Sequence, residues 1–205
     1  MLFSDTYKTI EKEAGGLFRD RGSRFIATAI PVSGQEEIKT RLEELKKEYH
    51  DARHHCYAWV LTPDRQAWRV NDDGEPSGTA GKPILGQINS RELTNILVVV
   101  TRYFGGTLLG VSGLINAYRS AAADALNNAE IVERHLTESW LIRFPYETMN
   151  DVMRILKEEG CSQSAHEYTD NMVSVEIAFR AAISEIVTGR LDKIEGLTSE
   201  WLRTV

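Results

Sequence analysis

NDDGEPSGTAGKPILGQINSRELTNILVVVTRYFGGTLLGVSG, residues 71–113, holds the longest run of branched aliphatic residues in the chain, Ile96-Leu97-Val98-Val99-Val100, with a glycine-rich loop on either side. A short run rich in β-branched residues and without polar alternation predicts a strand covered on both faces, and it is too short to span a membrane. We read it as the central strand of a sheet. Directly after it, Arg102-Tyr103-Phe104 place a guanidinium and two aromatic rings at the strand end, followed by Gly105-Gly106, Gly110 and Gly113. Upstream, Asp72-Asp73-Gly74-Glu75-Pro76-Ser77-Gly78 is a polar turn cluster, and Ile84, Leu85 and Ile88 recur at helical spacing between Thr79 and Asn89.

Around this stretch lies a chain of 205 residues with 42% hydrophobic and 26% charged residues, the composition of an ordinary globular protein long enough for one large or two small domains. The N-terminus lacks a basic segment followed by an apolar one, so no secretory signal is expected and a cytoplasmic location follows. Cys56 and Cys161 give neither a disulfide framework nor the paired spacing of a zinc site and read as reduced thiols. The net charge of −6 argues against wrapping a polyanion over the whole surface. Residues 1–135 carry 17 basic against 18 acidic residues and residues 136–205 carry 7 against 12, so a nucleic-acid face is expected on the first part.

In chain order, Thr6–Glu13 and Leu17–Arg19 suggest a hairpin closed by Gly15-Gly16, and Ser23–Val32 a strand ending at Pro31. Ser33 with Glu36 predicts a capping box opening a helix whose Ile38, Leu42, Leu45 and Tyr49 share one face. A strand over His54–Leu61, a turn at Pro63-Asp64 and a strand over Ala67–Val70 follow. After the central strand, Ser112–Asn128 predicts a helix rich in alanine, and Ile131-Val132 opens a strand. From Leu136 the order is strand, helix (Glu147–Glu159), two strands meeting at Asp170-Asn171, helix (Ile183–Ile194) and a last strand. That order is the βαββαβ of a ferredoxin-like fold.

Gly81-Lys82-Pro83-Ile84-Leu85, the apolar strand, Arg102-Tyr103-Phe104-Gly105-Gly106 and Leu109-Gly110 together resemble the signature of the Impact/YigZ family. So do Asp51-Ala52-Arg53-His54-His55-Cys56 and Asp72-Asp73-Gly74-Glu75-Pro76-Ser77-Gly78-Thr79-Ala80, with no departure from the pattern in the first domain. The resemblance implies an α+β protein of two domains. Residues 1–135 would form an Impact-type α/β sandwich resembling domain IV of elongation factor G (a ribosomal-protein-like βαβ fold), and residues 136–205 a ferredoxin-like domain. Eukaryotic members modulate a translational stress kinase pathway through a partner bound by a further N-terminal domain. That domain has no counterpart here, so the kinase-pathway role is not carried over.

The residues themselves exclude several chemistries. Gly78-Thr79-Ala80-Gly81-Lys82-Pro83 has Pro76 and Pro83 where a P-loop needs glycine and a hydroxyl residue, and Gly105–Gly113 lacks dinucleotide-binding spacing. Ser112 does not sit in a G-x-S-x-G elbow. His54 and His55, adjacent in a strand, point to opposite faces and make a poor chelating pair, so one is expected hydrogen-bonded in the fold and the other exposed. Asp72, Asp73 and Glu75 either bind a cation or work as acid and base, or else cap a turn. Two readings of Arg102 stay open. In one, Arg102, Tyr103 and Phe104 with Lys82 and Arg53 pair with phosphate and stack on bases; in the other, Arg102 pairs with Asp72, Asp73 or Glu75 and Phe104 is core.

The candidate binding residues are therefore Arg53, His54, His55, Asp72, Asp73, Glu75, Lys82, Arg102, Tyr103, Gly105, Gly106, Gly110 and Ser112. The Asp72–Gly78 turn, the Arg102–Gly106 turn and the Arg53–His55 strand start are expected to converge. No catalytic residue, metal or cofactor is assigned. The expected function is a non-enzymatic, translation-associated regulator binding RNA, the ribosome or a translation factor. The alternative is a small-molecule enzyme or a protein binding a phosphate or other anion through the Asp72–Glu75 and Gly105–Gly113 loops. No membrane partner is expected, and the oligomeric state is left open.

Overall fold

The structure, a computed structural model, describes residues 5–164 and 166–204. The chain divides into two compact units, one spanning Tyr7–Arg134 and the other running from His135 onward together with the stretch containing Asp5 and Thr6. Both mix helices and sheets.

The elements of the first unit are β1 (Thr6–Ile10), β2 (Ala14–Asp20), β3 (Ser23–Pro31), α1 (Gln35–Glu48), β4 (His54–Leu61), β5 (Ala67–Asn71), α2 (Gly81–Ser90), β6 (Ile96–Tyr103), α3 (Gly110–Asn127) and β7 (Ile131–His135). A five-stranded antiparallel sheet has the order β2-β3-β6-β4-β5, so the aliphatic run of β6 is its middle strand. Because side chains alternate along a strand, the run divides between two cores. Ile96, Val98 and Val100 pack with α2 and α3, while Leu97 and Val99 pack with Ile38, Leu42, Leu45 and Tyr49 of α1 and its end. Helices on both faces explain why every residue from 96 to 100 is apolar although the sheet is antiparallel.

Two local expectations are corrected. Gly15-Gly16 do not close a hairpin with the preceding strand: both lie within β2, which pairs with β3 across the Arg21-Gly22 turn, whereas β1 pairs with β7. Gly16 is there because α3 lies directly on it. A Cβ at this position would stand 2.2 Å from the Ala125 backbone nitrogen. Since the obstacle is helix backbone, Gly16→Ala is expected to destabilise the first unit by about 1 to 3 kcal/mol, read as a lower urea midpoint. The second correction concerns α1, which starts at Gln35 after an extended Gly34. It is Glu37, not Glu36, that accepts from the Ser33 N–H (2.7 Å) and hydroxyl (2.9 Å).

The second unit holds β8 (Thr137–Pro145), α4 (Met149–Glu158), β9 (Ser162–Gln163), β10 (Glu167–Thr169), β11 (Met172–Arg180), α5 (Ser184–Leu191) and β12 (Thr198–Thr204). Its antiparallel sheet runs β10-β11-β8-β12, with β9 also pairing with β11. The strand expected over residues 162–169 is thus two short ones on one partner. Ile142 and Phe144 of β8 and Val173, Val175 and Ile177 of β11 form one face, covered by Val152, Ile155 and Leu156 of α4 and Val187 and Leu191 of α5. No helix is long and apolar enough to cross a membrane among the described residues.

A cleft over a buried arginine and glutamate

Register decides which of the candidate residues meet. His54 of β4 and Phe25 of β3 both stand opposite Arg102 of β6, and alternation puts all three on the α2/α3 side of the sheet. Arg102 is 6% exposed. Its Nη1 donates to Glu75 Oε1 at 2.5 Å, and its guanidinium lies over the rings of Phe25 (5.4 Å) and Phe104 (5.6 Å). Glu75, 9% exposed, also accepts from the Tyr118 hydroxyl at 2.8 Å. Of the two readings of Arg102, the structure places it in the ion pair, and of the three carboxylates it selects Glu75. Phe104 is nonetheless not core, being 45% exposed.

This pair forms the base of a cleft of about 500 Å³. Arg53, His54, Glu75 and Arg102 supply its polar lining; Pro76, Phe104, Leu108, Leu109, Val111 and Leu114 supply apolar walls, and Gly110 lies between them. The Asp72–Gly78 turn, the strand end at Arg102 and the strand start at Arg53 therefore do contribute to one cavity. Leu108 is 81% exposed and Val111 59%, so the rim is apolar and open to solvent. Two other clefts of similar size lie in the second unit, one with Arg143, Glu167 and Glu176 in its lining and one with Asp151, Arg154, Arg190, Lys193 and Glu195.

His54 has a defined orientation. Its Nδ1 lies 2.7 Å from the Asp73 carbonyl oxygen, which only accepts, so Nδ1 carries the proton and Nε2 faces Glu75 Oε1 at 3.9 Å. His55 points the other way, as adjacent strand residues must. It is buried, with Nε2 donating to the Tyr49 carbonyl at 3.2 Å, and burial, opposed by the nearby Asp73 carboxylate, holds its pKa below the ordinary value. The expectation of one bonded and one exposed histidine becomes one in the cleft and one in the fold, both hydrogen-bonded.

The other candidates are not in the cleft. Asp72 accepts from the backbone N–H groups of Gly78 (2.8 Å), Ala80 (3.0 Å) and Gly81 (2.8 Å), folding the turn and capping α2 from a distance. Asp73 accepts from the His55 N–H at 2.6 Å. Both take the turn-capping reading offered by their sequence. Tyr103, next to Arg102 in sequence, falls on the opposite face, where its hydroxyl donates to Asp51 at 2.7 Å and Arg24 stacks on its ring. Arg102 and Tyr103 cannot serve one ligand as a contiguous motif. Lys82 and Ser112 are exposed and do not line the cleft. Gly105 is packed on the β2–β3 turn, where a Cβ would stand 2.0 Å from the Gly22 carbonyl carbon, and Gly106 serves a left-handed turn (φ 87°).

Asp72 yields a pH prediction. Burial raises its pKa, but the three backbone donors outweigh this and hold it below the ordinary 3.8. The unfolded chain then binds the proton more readily, so the stabilisation is complete above about pH 4 and is lost as pH falls through the lower folded value. Asp72→Ala should cost about 1 to 3 kcal/mol at neutral pH. The gap between variant and wild-type urea midpoints should close in acid; a gap that persists at low pH would count against this assignment.

Sequence reading missed Leu108, Val111, Tyr118 and Cys56. Two apolar residues among the glycines of positions 105–113 were the available signal for the first pair. Nothing local marks Tyr118, whose helical spacing fits plain core, or Cys56, whose thiol lies 3.3 Å from the Tyr118 hydroxyl and 3.0 Å from the Asp72 carbonyl. Burial drives both of their pKa values up, so neither is poised as a nucleophile. No cluster of three or more His, Cys, Asp or Glu residues able to hold a metal occurs among the described residues.

Comparison with known proteins places this unit among relatives. A family model described as the Impact N-terminal domain matches residues 21–126. The IMPACT family member YvyE of Bacillus subtilis is 36% identical over 182 residues, covering 85% of this chain and 83% of its own length. The IMPACT family member YigZ of Escherichia coli is 38% identical over 136 residues, covering 65% of this chain and 67% of its own. A crystal structure titled only as a hypothetical protein superposes with a TM-score of 0.76 at 30% identity, covering 98% of this chain and 99% of that one.

Proposed function

The chain belongs to the Impact family, and from that premise we propose that it is a non-enzymatic binding protein acting on translation, holding a segment of a translation-associated protein in the cleft of its first unit. The observation that carries this reading is the open apolar rim of Phe104, Leu108 and Val111 above a charge-compensated base. Exposed apolar residues grouped around a concavity suit a protein segment. RNA would need phosphates neutralised by free cations. Here the Arg102 charge is already matched by Glu75, which leaves Arg53 as the exposed cation lining the cleft. The catalytic alternative needs Asp72, Asp73, Glu75, Lys82 and Arg102 together, but the two aspartates serve backbone N–H groups, Glu75 pairs with Arg102 and Lys82 lies outside the cleft lining.

The pair of domains expected from the resemblance belongs to the same proposal. We take the first unit as the counterpart of elongation factor G domain IV and the second as ferredoxin-like. The β10-β11-β8-β12 order, with both helices packed on one face of the sheet, supports the latter.

The test is co-sedimentation with purified ribosomes and pull-down of purified translation factors, beside filter binding to structured RNA, each at low and high salt. Capture of a protein or ribosomal partner with shallow salt dependence is expected, and Val111→Asp should weaken it by about thirtyfold, the ~2 kcal/mol of an interface hot spot. Steeply salt-dependent binding to bare RNA that Val111→Asp leaves unchanged, or no capture at all, would sink the proposal.

A further inference from the structure

The cleft brings an apolar wall and a positive helix end together on the same few residues. α3, 18 residues long, opens at Gly110 (φ 73°) with Leu109 at its N-cap position and no side-chain cap among the described residues. Its first backbone N–H groups therefore lack the hydrogen-bond partner that a Ser, Thr or Asp at the cap would provide, and they stand at the positive end of the helix dipole. Gly110 and Val111, the residues carrying the first of these groups, also line the cleft. Arg53, exposed, lines it too. A second observation is independent of the helix: Arg102, more than nine-tenths buried, lines the same cleft, and its Nε has no hydrogen-bond partner among the described residues.

These features select the occupant. Leu108, Val111 and Leu114 call for an apolar group, while the helix end and Arg53 call for an anion. Glu75 and Arg102 compensate each other at the base, which leaves Arg53 and the helix end to meet an anion, so a phosphate dianion between apolar walls fits poorly. One monoanionic carboxylate beside one apolar side chain fits. Because Val111 contributes both to the uncapped turn and to the apolar wall, the carboxylate and the apolar group must lie within one residue of each other. On a polypeptide that condition is met at the chain end, where the terminal carboxylate and the last side chain branch from a single Cα. An internal aspartate beside the anchor would set the two groups a full residue further apart, on separate Cα atoms.

We infer that the cleft captures the C-terminal residue of its protein partner, with an apolar side chain against Leu108, Val111 and Leu114 and the terminal carboxylate at the start of α3 beside Arg53. The inference rests on the reading of the cleft as a protein-binding site and specifies what is bound. Capture of a chain end by unpaired backbone amides is a recurring recognition mode.

The test is fluorescence anisotropy with N-terminally labelled hexapeptides in three forms: a free-acid C-terminal Leu, the same peptide amidated, and an amidated peptide with Asp preceding the Leu. The free acid is expected to bind, with both amidated forms weaker by about tenfold or more, the scale of one charge-assisted contact. Arg53→Ala should weaken the free acid several-fold and flatten its salt dependence, and Val111→Asp should abolish binding. Equal binding of acid and amide, preference for the internal aspartate, displacement by inorganic phosphate at lower concentration than the peptide, or no binding by any of the peptides would overturn the inference. If ribosomes or translation factors are still captured in a Val111-dependent way while every peptide fails, this inference alone falls. If that capture fails as well, the proposed function falls with it.

Discussion

Glu75→Ala is expected to lower the stability of the first unit by about 3 to 5 kcal/mol, the cost of leaving one member of a buried ion pair without its partner. Arg102→Ala should cost less, although it breaks the same 2.5 Å contact. A carboxylate left behind can take up a proton and keeps its bond from Tyr118, whereas a guanidinium left behind cannot shed its charge. Replacing both residues by leucine should be milder than Glu75→Ala alone, since neither charge then remains buried. Urea melts followed by tryptophan fluorescence in a background lacking Trp140 and Trp201 would report the first unit through Trp59 and Trp68. A Glu75→Ala midpoint equal to wild type would show that the pair does not hold the fold. The same logic explains why the binding tests use Arg53 and Val111: affinity lost in an Arg102 variant would be confounded with unfolding.

Phe25→Ala should be of similar size, about 3 to 5 kcal/mol, because a fully buried ring leaves a cavity that a sheet between two helical layers closes poorly. The ring meets Tyr118 edge-on at 5.1 Å and underlies the Arg102 guanidinium at 5.4 Å, so its removal also takes an aromatic face from a buried cation. Phe25→Leu, which retains most of the volume, should cost less than about 2 kcal/mol. If Phe25→Ala and Phe25→Leu gave equal midpoints, packing beneath Arg102 would not be the source of the stability, and the aromatic contact would have to account for the whole loss.

Features that depend on neighbours close along the chain were legible in the residues alone. The aliphatic run of β6 announced a strand covered on both faces, the periodicity around Ile38 to Leu45 announced α1, and Asp170-Asn171 announced the β10–β11 turn. The ordered motifs around residues 51–56, 72–85 and 102–110 sufficed to name the family. Where a residue had two uses, the choice came from the segments that the fold packs around it. A glycine serves a turn or a close approach equally well, and Gly16 proved to be the second because α3, more than a hundred residues later, lies on it. A carboxylate in a polar turn serves a ligand or a backbone; Asp72 and Asp73 went to the backbone and Glu75 to Arg102. Arg102 and Tyr103 looked like one motif, yet the two-residue period of a strand sends them to opposite faces. Leu108 precedes α3 and Val111 lies in its first turn, and their exposure depends on what the fold leaves uncovered. The physical reason is common to all of these: propensity and periodicity are sums over adjacent residues, whereas burial, pairing and cavities depend on which distant segment the fold brings alongside.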